Sequence, residues 1–335
     1  MDMILKNTFQ SISPAYELIG DVTVGTNTTQ VDFTGLNIGK DDELLLVSKS
    51  VNTTSNPVGA DLFINNNTTG TNYYRQVLEG NGTSVTAFRS NSASIFPWDN
   101  NTSGLSFVKI RLTNSGYVVA QSEMLRFVGS SGARMFVPHL TTTFTITSLT
   151  QLTIKTTEAN HLGSGSRFQL YKLVAEKVAD IIVPSNTTAV DITGLNIGKD
   201  GEYYLTADWV NGVASSVGMS LFINDNITQT NYYNQYLYAT GTSVTSARSN
   251  NATVFACNSN SSNFANANIK LANSGYYVSQ SNSTQMIVTP SFQPELVKRC
   301  ATSTFNSSSI TKLTLTASVT NAIGANSRFT LYKMK

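Results

Sequence analysis

Apolar and polar residues alternate along many short stretches of this 335-residue chain, and turn-forming residues separate the stretches. Within Leu105–Leu112, Val108 and Ile110 fall on one face of an extended strand. Lys109 and Arg111 fall on the opposite face. No window of eleven or more residues repeats its apolar positions with helical spacing. The pattern therefore predicts an all-β protein.

The predicted strands are short, about ten in each half of the chain, and frequent turn signals separate them. Glu43–Val51 alternates weakly, which predicts a strand buried on both faces. Such a pattern is typical of a β-sandwich or jelly roll of roughly 150 residues. The strands predicted for the first half are Leu18–Val24, Gln30–Phe33, Glu43–Val51, Ala60–Asn65, Asn72–Leu78, Ser84–Phe88, Ser94–Trp98, Leu105–Leu112, Tyr117–Ala120, Thr142–Ile146, Leu149–Thr156 and Arg167–Leu173.

The chain contains one strand-rich unit twice. The heptapeptide Thr34–Lys40 returns unchanged as Thr193–Lys199, 159 positions later. Ser166–Phe168 returns as Ser327–Phe329 at an offset of 161, so two residues are inserted after the tyrosine at 117 or 276. The sequence is therefore a tandem duplication, and function must be sought on the repeated unit. Other segments repeated at the first offset are Leu62–Asn65 with Leu221–Asn224, Thr71–Tyr74 with Thr230–Tyr233, and Gly82–Thr86 with Gly241–Thr245.

The duplication predicts two tandem β-sandwich (jelly-roll-like) domains, a first repeat at 15–173 and a second at 174–335, preceded by an N-terminal arm at 1–14. The chain passes from Leu173 directly into Val174 without a Gly, Ser or Pro linker, so we expect a nearly fixed angle between the repeats. The arm has no counterpart in the second repeat, and we expect it to reach a neighbour in an assembly. In the repeated heptapeptide, glycine and asparagine are expected to adopt positive φ.

The composition is poor in charge. Only 13% of residues are charged, where about 25% is usual, and Asn, Thr and Ser take their place. A surface of amides and hydroxyls suits packing against neighbours or contact with carbohydrate; an AT-rich gene is the alternative explanation of the Asn content. A net charge of +2 without a basic run argues against nucleic-acid binding. No apolar run approaches a membrane span, and Met1–Lys6 is too polar for a secretory signal.

Residues with catalytic or metal-binding chemistry are few. Cys257 and Cys300 lie only in the second repeat, which favours two buried free thiols over a bridge. His139 and His161 do not recur, so both are expected to be ordinary surface residues without metal-ligand spacing. We therefore predict no catalytic residue, no metal ligand, no cofactor and no enzyme activity. Carboxylates present in both repeats, expected to be structural, are Asp21/Asp180, Asp32/Asp191, Asp41/Asp200 and Glu43/Glu202.

Two repeated segments are candidates for contact with a glycan or a partner protein. Tyrosines beside amides and an arginine can stack on and hydrogen-bond a sugar. The same residues equally fit cross-strand packing with a guanidinium that braces a loop. The candidate contact residues are Tyr73, Tyr74, Arg89 and Asn91 in the first repeat, and Tyr232, Tyr233, Arg248 and Asn250 in the second.

These segments together resemble tandem β-modules in the virion structural proteins of tailed bacteriophages. The resemblance rests on Thr34–Lys40 with the acidic residues after it, the Thr-Asn-Tyr-Tyr and Gly-Thr-Ser-Val-Thr segments, and the closing stretch 165–173. It covers nearly the whole chain except 1–14 and supplies no functional residues. It implies a tail, neck, fibre or capsid-decoration component, made in the host cytoplasm and located in the virion.

The partners implied by this resemblance are other virion proteins and further copies of the same chain in a homo-oligomer. The tyrosine and arginine segments add a host-surface glycan as a candidate partner. Two other functions stay open at this point. One is a carbohydrate- or receptor-binding module that attaches the particle to its host. The other is a double jelly-roll major capsid protein, which copy number would distinguish from an appendage.

Overall fold

The computed structural model describes residues 15–52, 58–81, 84–98, 103–127, 133–199, 201–258, 261–286 and 295–334. The arm at 1–14 therefore lies outside the described residues. The first unit contains β1(Tyr16–Thr23), β2(Gln30–Phe33), β3(Glu43–Val51), β4(Val58–Ile64), β5(Tyr73–Asn81), β6(Ser84–Ser90), β7(Ser94–Trp98), β8(Ser103–Leu112), β9(Val118–Phe127), β10(Ala133–Thr142), β11(Leu152–Thr156) and β12(Arg167–Leu173).

The second unit contains the corresponding strands in the same order, and a short 3-10 helix precedes the fifth strand of each unit, at Gly70–Asn72 and Gln229–Asn231. The strands are β13(Glu176–Ile182), β14(Ala189–Ile192), β15(Glu202–Val210), β16(Val217–Ile223), β17(Tyr232–Thr240), β18(Ser243–Ser249), β19(Thr253–Cys257), β20(Ser262–Leu271), β21(Tyr276–Met286), β22(Glu295–Asn306), β23(Leu313–Ala317) and β24(Arg328–Met334).

Each unit is a sandwich of one eight-stranded and one four-stranded antiparallel sheet. In the first unit the sheets have the orders β1-β12-β3-β8-β9-β10-β5-β6 and β2-β11-β4-β7. The four strands β1-β12-β3-β8 facing β2-β11-β4-β7 form a jelly roll, in which the chain passes repeatedly from one sheet to the other. Strands β9, β10, β5 and β6 extend the larger sheet. The second unit repeats both orders, so the predicted all-β double sandwich is confirmed.

One region of the strand prediction is wrong. Thr142–Ile146 is not a strand, since β10 ends at Thr142. Nearly all of β10 and the second half of β9 were not predicted as strands. Gln121 and Ser122 point to opposite faces, yet both are buried, so polar residues hide the alternation. Pro138 also weakens the pattern, because proline lacks the N–H of a central strand. It falls where the β9–β10 pairing is interrupted, between Phe136 and His139.

The repeated heptapeptide forms the same turn in both units. Gly35 and Gly194 have φ of 68° and 72°, which confirms the expected positive φ for the first glycine of the heptapeptide but not for the second, Gly39 or Gly198. Asn37 does not share that conformation, so the expectation is wrong for the asparagine. The turn is fixed to the sandwich because Ile38 is buried and exchanges two backbone hydrogen bonds with Leu149.

Each sandwich is filled between its two sheets by its own cluster of buried apolar residues. Tyr232 lies at the centre of the second cluster, with edge-on contacts to Phe222, Tyr277 and Phe305. Its hydroxyl accepts a hydrogen bond from the Ile223 N–H at 3.0 Å and donates to a carbonyl at 2.9 Å. Burial raises the pKa of Tyr232 to about 12. This hydroxyl thus belongs to the core.

Tyr73 occupies the equivalent place in the first unit. It is fully buried, and its hydroxyl accepts from the Ile64 N–H at 2.9 Å and donates to the Asn67 carbonyl at 2.8 Å. Burial again raises the pKa of Tyr73 to about 12. Tyr73 and Tyr232 are therefore wrong as contact residues, because their rings cannot reach a ligand on the surface.

Removing the hydroxyl of Tyr232 tests this role. In Tyr232→Phe the buried Ile223 N–H loses its acceptor, which should lower the free energy of unfolding by about 1–3 kcal/mol. Urea unfolding with an unchanged m-value measures the change. Tyr233→Phe is the matched control, since Tyr233 is half exposed and should leave the midpoint in place. Equal destabilisation by both variants would contradict the assignment.

Candidate functional site

The two eight-stranded sheets face one another through their outer faces, the faces that point away from the four-stranded sheets. On β9, Val118 and Ala120 point into the sandwich core, while Val119 points outward and packs on Phe264 of the second unit. Gln121, also outward, donates to the Thr284 hydroxyl at 2.7 Å. Side chains of the two units therefore contact each other across this interface, in addition to the short joint between Leu173 and Glu176.

A second part of this interface is polar and lies beside the junction of the units. Glu43 is buried and accepts hydrogen bonds from the Tyr16 hydroxyl at 3.0 Å and the Tyr204 hydroxyl at 2.8 Å. Tyr204 belongs to the second unit, so one carboxylate binds side chains of both. Burial beside Glu43 raises the pKa of the Tyr204 hydroxyl well above its ordinary value. Glu43 is thereby assigned a structural role, as expected from the sequence.

Charged groups also join the units. Arg328 forms ion pairs with Asp41 of the first unit and with Asp180 of its own unit. The Arg328 guanidinium lowers the pKa of the Asp180 carboxyl from its usual value. In the first unit, Arg167 pairs with Asp21 at the positions equivalent to Arg328 and Asp180. These repeated carboxylates are therefore occupied by ion pairs.

Between the sheets, a cavity of about 390 Å³ is lined by residues of both units, among them Phe107, Lys109, Glu123, His139, Gln280 and Lys298. Glu123 and Lys298 form an ion pair across it. His139 is buried in its wall, with Nδ1 at 2.6 Å from the Thr284 hydroxyl. Burial, reinforced by the Lys298 charge, holds the pKa of His139 well below its usual range. The expectation of two surface histidines is wrong, since His161 is buried as well.

A more open groove of about 700 Å³ lies on the outer face of the second unit's eight-stranded sheet. It is built on the neighbouring strands β18, β17, β22 and β21, which place exposed polar side chains next to apolar ones. All of its lining residues belong to the second unit. They are Tyr233, Asn234, Gln235, Arg248, Asn250, Val278, Cys300, Ala301 and Thr302. We call this set the groove.

The groove brings together three of the eight residues selected from the sequence, namely Tyr233, Arg248 and Asn250. Strand pairing explains the grouping, since Gln235 lies opposite Arg248 on β18 and opposite Cys300 on β22. Tyr233 offers a ring that is half exposed, and Arg248 and Asn250 offer donors and acceptors. The arrangement can hold a flat polar ligand or a protein surface.

In the first unit, Tyr74, Arg89 and Asn91 occupy the positions equivalent to Tyr233, Arg248 and Asn250. Arg89 instead lies beside Gly241, at the turn between β17 and β18 of the second unit. Gln76, the equivalent of Gln235, exchanges two hydrogen bonds with the Gly241 backbone, at 3.0 and 3.1 Å. The second unit therefore covers this part of the first.

Val278, Cys300 and Thr302 line the groove but were not selected from the sequence. Val278 and Thr302 do have repeat equivalents, Val119 and Thr141, but an apolar or hydroxyl residue carries no signal of binding. Cys257 and Cys300 are both free; Cys257 is buried, and burial raises its pKa to about 12. Cys300 is exposed, so the expectation of two buried thiols is wrong for it.

Two other possible features are a metal site and a membrane-spanning helix. Within the described ranges, no group of three or more His, Cys, Asp or Glu side chains is arranged to hold a metal ion. The helices in that part of the chain are single 3-10 turns, and none has the length and apolar character needed to span a membrane.

Comparison with known proteins gives no family. No family model and no curated protein matches the chain. Among solved structures, domains LG4-5 of the mouse laminin alpha1 chain align over 96% of this chain and 90% of that chain, with 10% identity and a TM-score of 0.19. The TesB protein of Mycobacterium avium subspecies paratuberculosis aligns over 69% and 77%, with 6% identity and a TM-score of 0.12. Scores this low support no inference about function.

The buried histidine predicts an acid-sensitive interface. The folded protein keeps His139 neutral, whereas the unfolded chain binds a proton at its ordinary pKa of about 6.5. The stability due to neutral His139 is therefore present above that pH and decreases as pH falls, by at most about 1.4 kcal/mol per pH unit. Urea unfolding from about pH 7.5 to about pH 5.5 should show the loss.

His139→Gln removes the titration but keeps hydrogen-bonding groups beside Thr284, so its stability should fall less steeply over the same range. Gln280→Asn, in the wall of the same cavity, adds and removes no titratable group and is the control, so it should keep the pH dependence of the original protein. Parallel pH profiles for the original protein and His139→Gln would contradict the assignment.

Proposed function

We propose that this protein is a non-enzymatic structural component of a bacteriophage particle, assembled there as an oligomer with other virion proteins. The observation that supports it best is the way the two jelly-roll units are joined. Only Val174 and Ala175 separate β12 from β13, and the outer faces of the large sheets pack together. Two units joined in this way suit a structural part that holds its neighbours at a fixed spacing.

The surface chemistry agrees with this function. Amide and hydroxyl side chains dominate a chain with few charges. Removing neutral polar side chains from water costs less free energy than removing charged ones, so they suit large contacts between subunits in a shell or tail. The repeated segments resemble modules of tailed-phage structural proteins, and this resemblance is our reason for proposing a phage particle as the location. The jelly-roll order of both units also fits a double jelly-roll capsid subunit as the particular structural role.

Mass spectrometry of purified particles tests the proposal. We expect peptides from both units in particles freed of soluble lysate proteins, at a constant ratio to the portal or tail proteins. Hundreds of copies per particle would identify a shell subunit, and tens or fewer an appendage. A protein that is abundant in the lysate but missing from the particles would refute the proposal.

The groove supports a second candidate function, attachment to a host-surface glycan. Tyr233 presents an exposed ring beside Arg248 and Asn250, the combination that stacks on a sugar and binds its hydroxyls. In the second unit these three residues lie around an open groove. The candidate ligand is a neutral or acidic oligosaccharide.

A glycan array read with variants tests this candidate. Tyr233→Ala removes the ring that stacks on the sugar, and Arg248→Ala removes a hydrogen-bond donor. Each variant should therefore abolish a glycan signal given by the original protein. Tyr74→Ala and Arg89→Ala are matched controls from the first unit and should leave the signal unchanged. The absence of any signal from the original protein would remove this candidate.

A further inference from the structure

Because each unit carries the same strands, each residue that one unit contributes to the interface has an equivalent position in the other unit. Gln76 pairs with His139 on neighbouring strands of the first sheet, as Gln235 pairs with Cys300 in the second. These pairs fix the equivalence of residues on the two outer faces. Interface residues of one unit therefore have counterparts on the other unit, many of them among the described residues.

The part of the first unit that receives the second consists of Gln76, Val119 and His139, all of them buried there. Their counterparts are Gln235, Val278 and Cys300, which line the groove. All three counterparts are exposed, with Val278 38% exposed against 0% for Val119. The groove is therefore a second receiving surface of the same kind, left uncovered.

The part of the second unit that covers the first carries Thr284 and Leu296, both fully buried, and Val244, which is partly buried against them. Leu296 packs with Leu78 and Val137 of the first unit in one apolar cluster. This covering surface therefore inserts apolar side chains between those of the first sheet.

The counterparts of that covering surface are Leu125, Met135 and Val85 in the first unit, which we call the patch. They are 40%, 50% and 51% exposed, respectively. Met135 and Val85 point outward, since Val137 and Ala87, two residues along the same strands, pack in the interface cluster. Leu125 points outward as well, since it lies four residues along β9 from the outward Gln121. Large apolar side chains grouped on an exposed sheet face mark an interaction surface.

We propose that a second copy of this chain binds here, placing the patch of its first unit in the groove of the second unit. This contact would repeat between chains the packing that already joins the units within one chain. Groove and patch lie on different units, so the association is head-to-tail. It gives a ring if the rotation closes and a filament if it does not.

The chemistry of the two surfaces is complementary. Within the chain, the covering residue Thr284 bonds to the receiving residues Gln121 and His139. In the groove, His139 is replaced by the thiol of Cys300, and in the patch Thr284 is replaced by Leu125. The contact between Thr284 and His139 thus becomes a contact between a leucine and a thiol, which is a change toward apolar character. Two other positions differ from this trend, since Gln121 is matched by Gln280 and Val137 by Lys298.

This proposal deepens the structural function proposed above by naming the partner, and the two can fail separately. Purified protein that self-associates through these surfaces but is missing from particles would refute the particle function and leave the interface standing. A particle protein that stays monomeric in solution at all concentrations would overturn the interface alone.

Analytical ultracentrifugation of the full chain tests the proposal. The original protein should show a mass that rises with concentration between about 1 and 100 µM, the range of a moderate contact. Val278→Lys in the groove and Met135→Lys in the patch should each give a single chain mass over that range. Ile227→Lys, at an exposed apolar residue outside both surfaces, is the control and should associate as the original protein does. Circular dichroism and melting curves establish that all three variants fold.

Mixing the two surface variants provides the decisive measurement. Met135→Lys keeps an intact groove and Val278→Lys keeps an intact patch, so a 1:1 mixture should form a species of two chains and nothing larger. A mixture that stays at one chain mass would overturn the proposal, because groove and patch would not be partners. Association of either variant alone to the extent of the original protein would overturn it too.

Discussion

The structure depends on the packing of two large sheets through faces that ordinarily meet water. The outer face of each eight-stranded sheet points away from its four-stranded partner and is available to pack against another surface. The chain covers much of the first such face with the second unit, through Val119 on Phe264 and Gln76 on Gly241. The short joint at Val174 and Ala175 makes this possible, because it starts the second unit beside the end of the first.

This packing gives two units of the same topology different exposed surfaces. Gln76 and Gln235 come from the same position of the repeat, yet one is buried against a neighbour and the other lines a groove. The asymmetry also accounts for the lowered pKa of His139, because the second unit buries its imidazole and the Lys298 charge disfavours its protonation. The properties of a repeat thus follow from its neighbours as much as from its own residues.

Much of the fold could be predicted from the sequence, because local patterns express it directly. Alternation in Leu105–Leu112 and glycine at Gly35 and Gly194 each follow from the requirements of one strand or one turn. The missed strand β10 shows where this fails. Its outward side chains face another protein surface, so His139 and Val137 break the polar half of the alternation.

The candidate site shows the same division. The sequence by itself determined the duplication, the jelly-roll-like sandwiches and the grouping of Tyr233 with Arg248 and Asn250, because repeated segments and strand spacing are local properties. Only the tertiary structure decided that Tyr73 and Tyr232 belong to the cores and that one of two equivalent surfaces stays open. Burial depends on which surfaces meet in space, and two identical stretches of sequence carry no information about which of them will be covered.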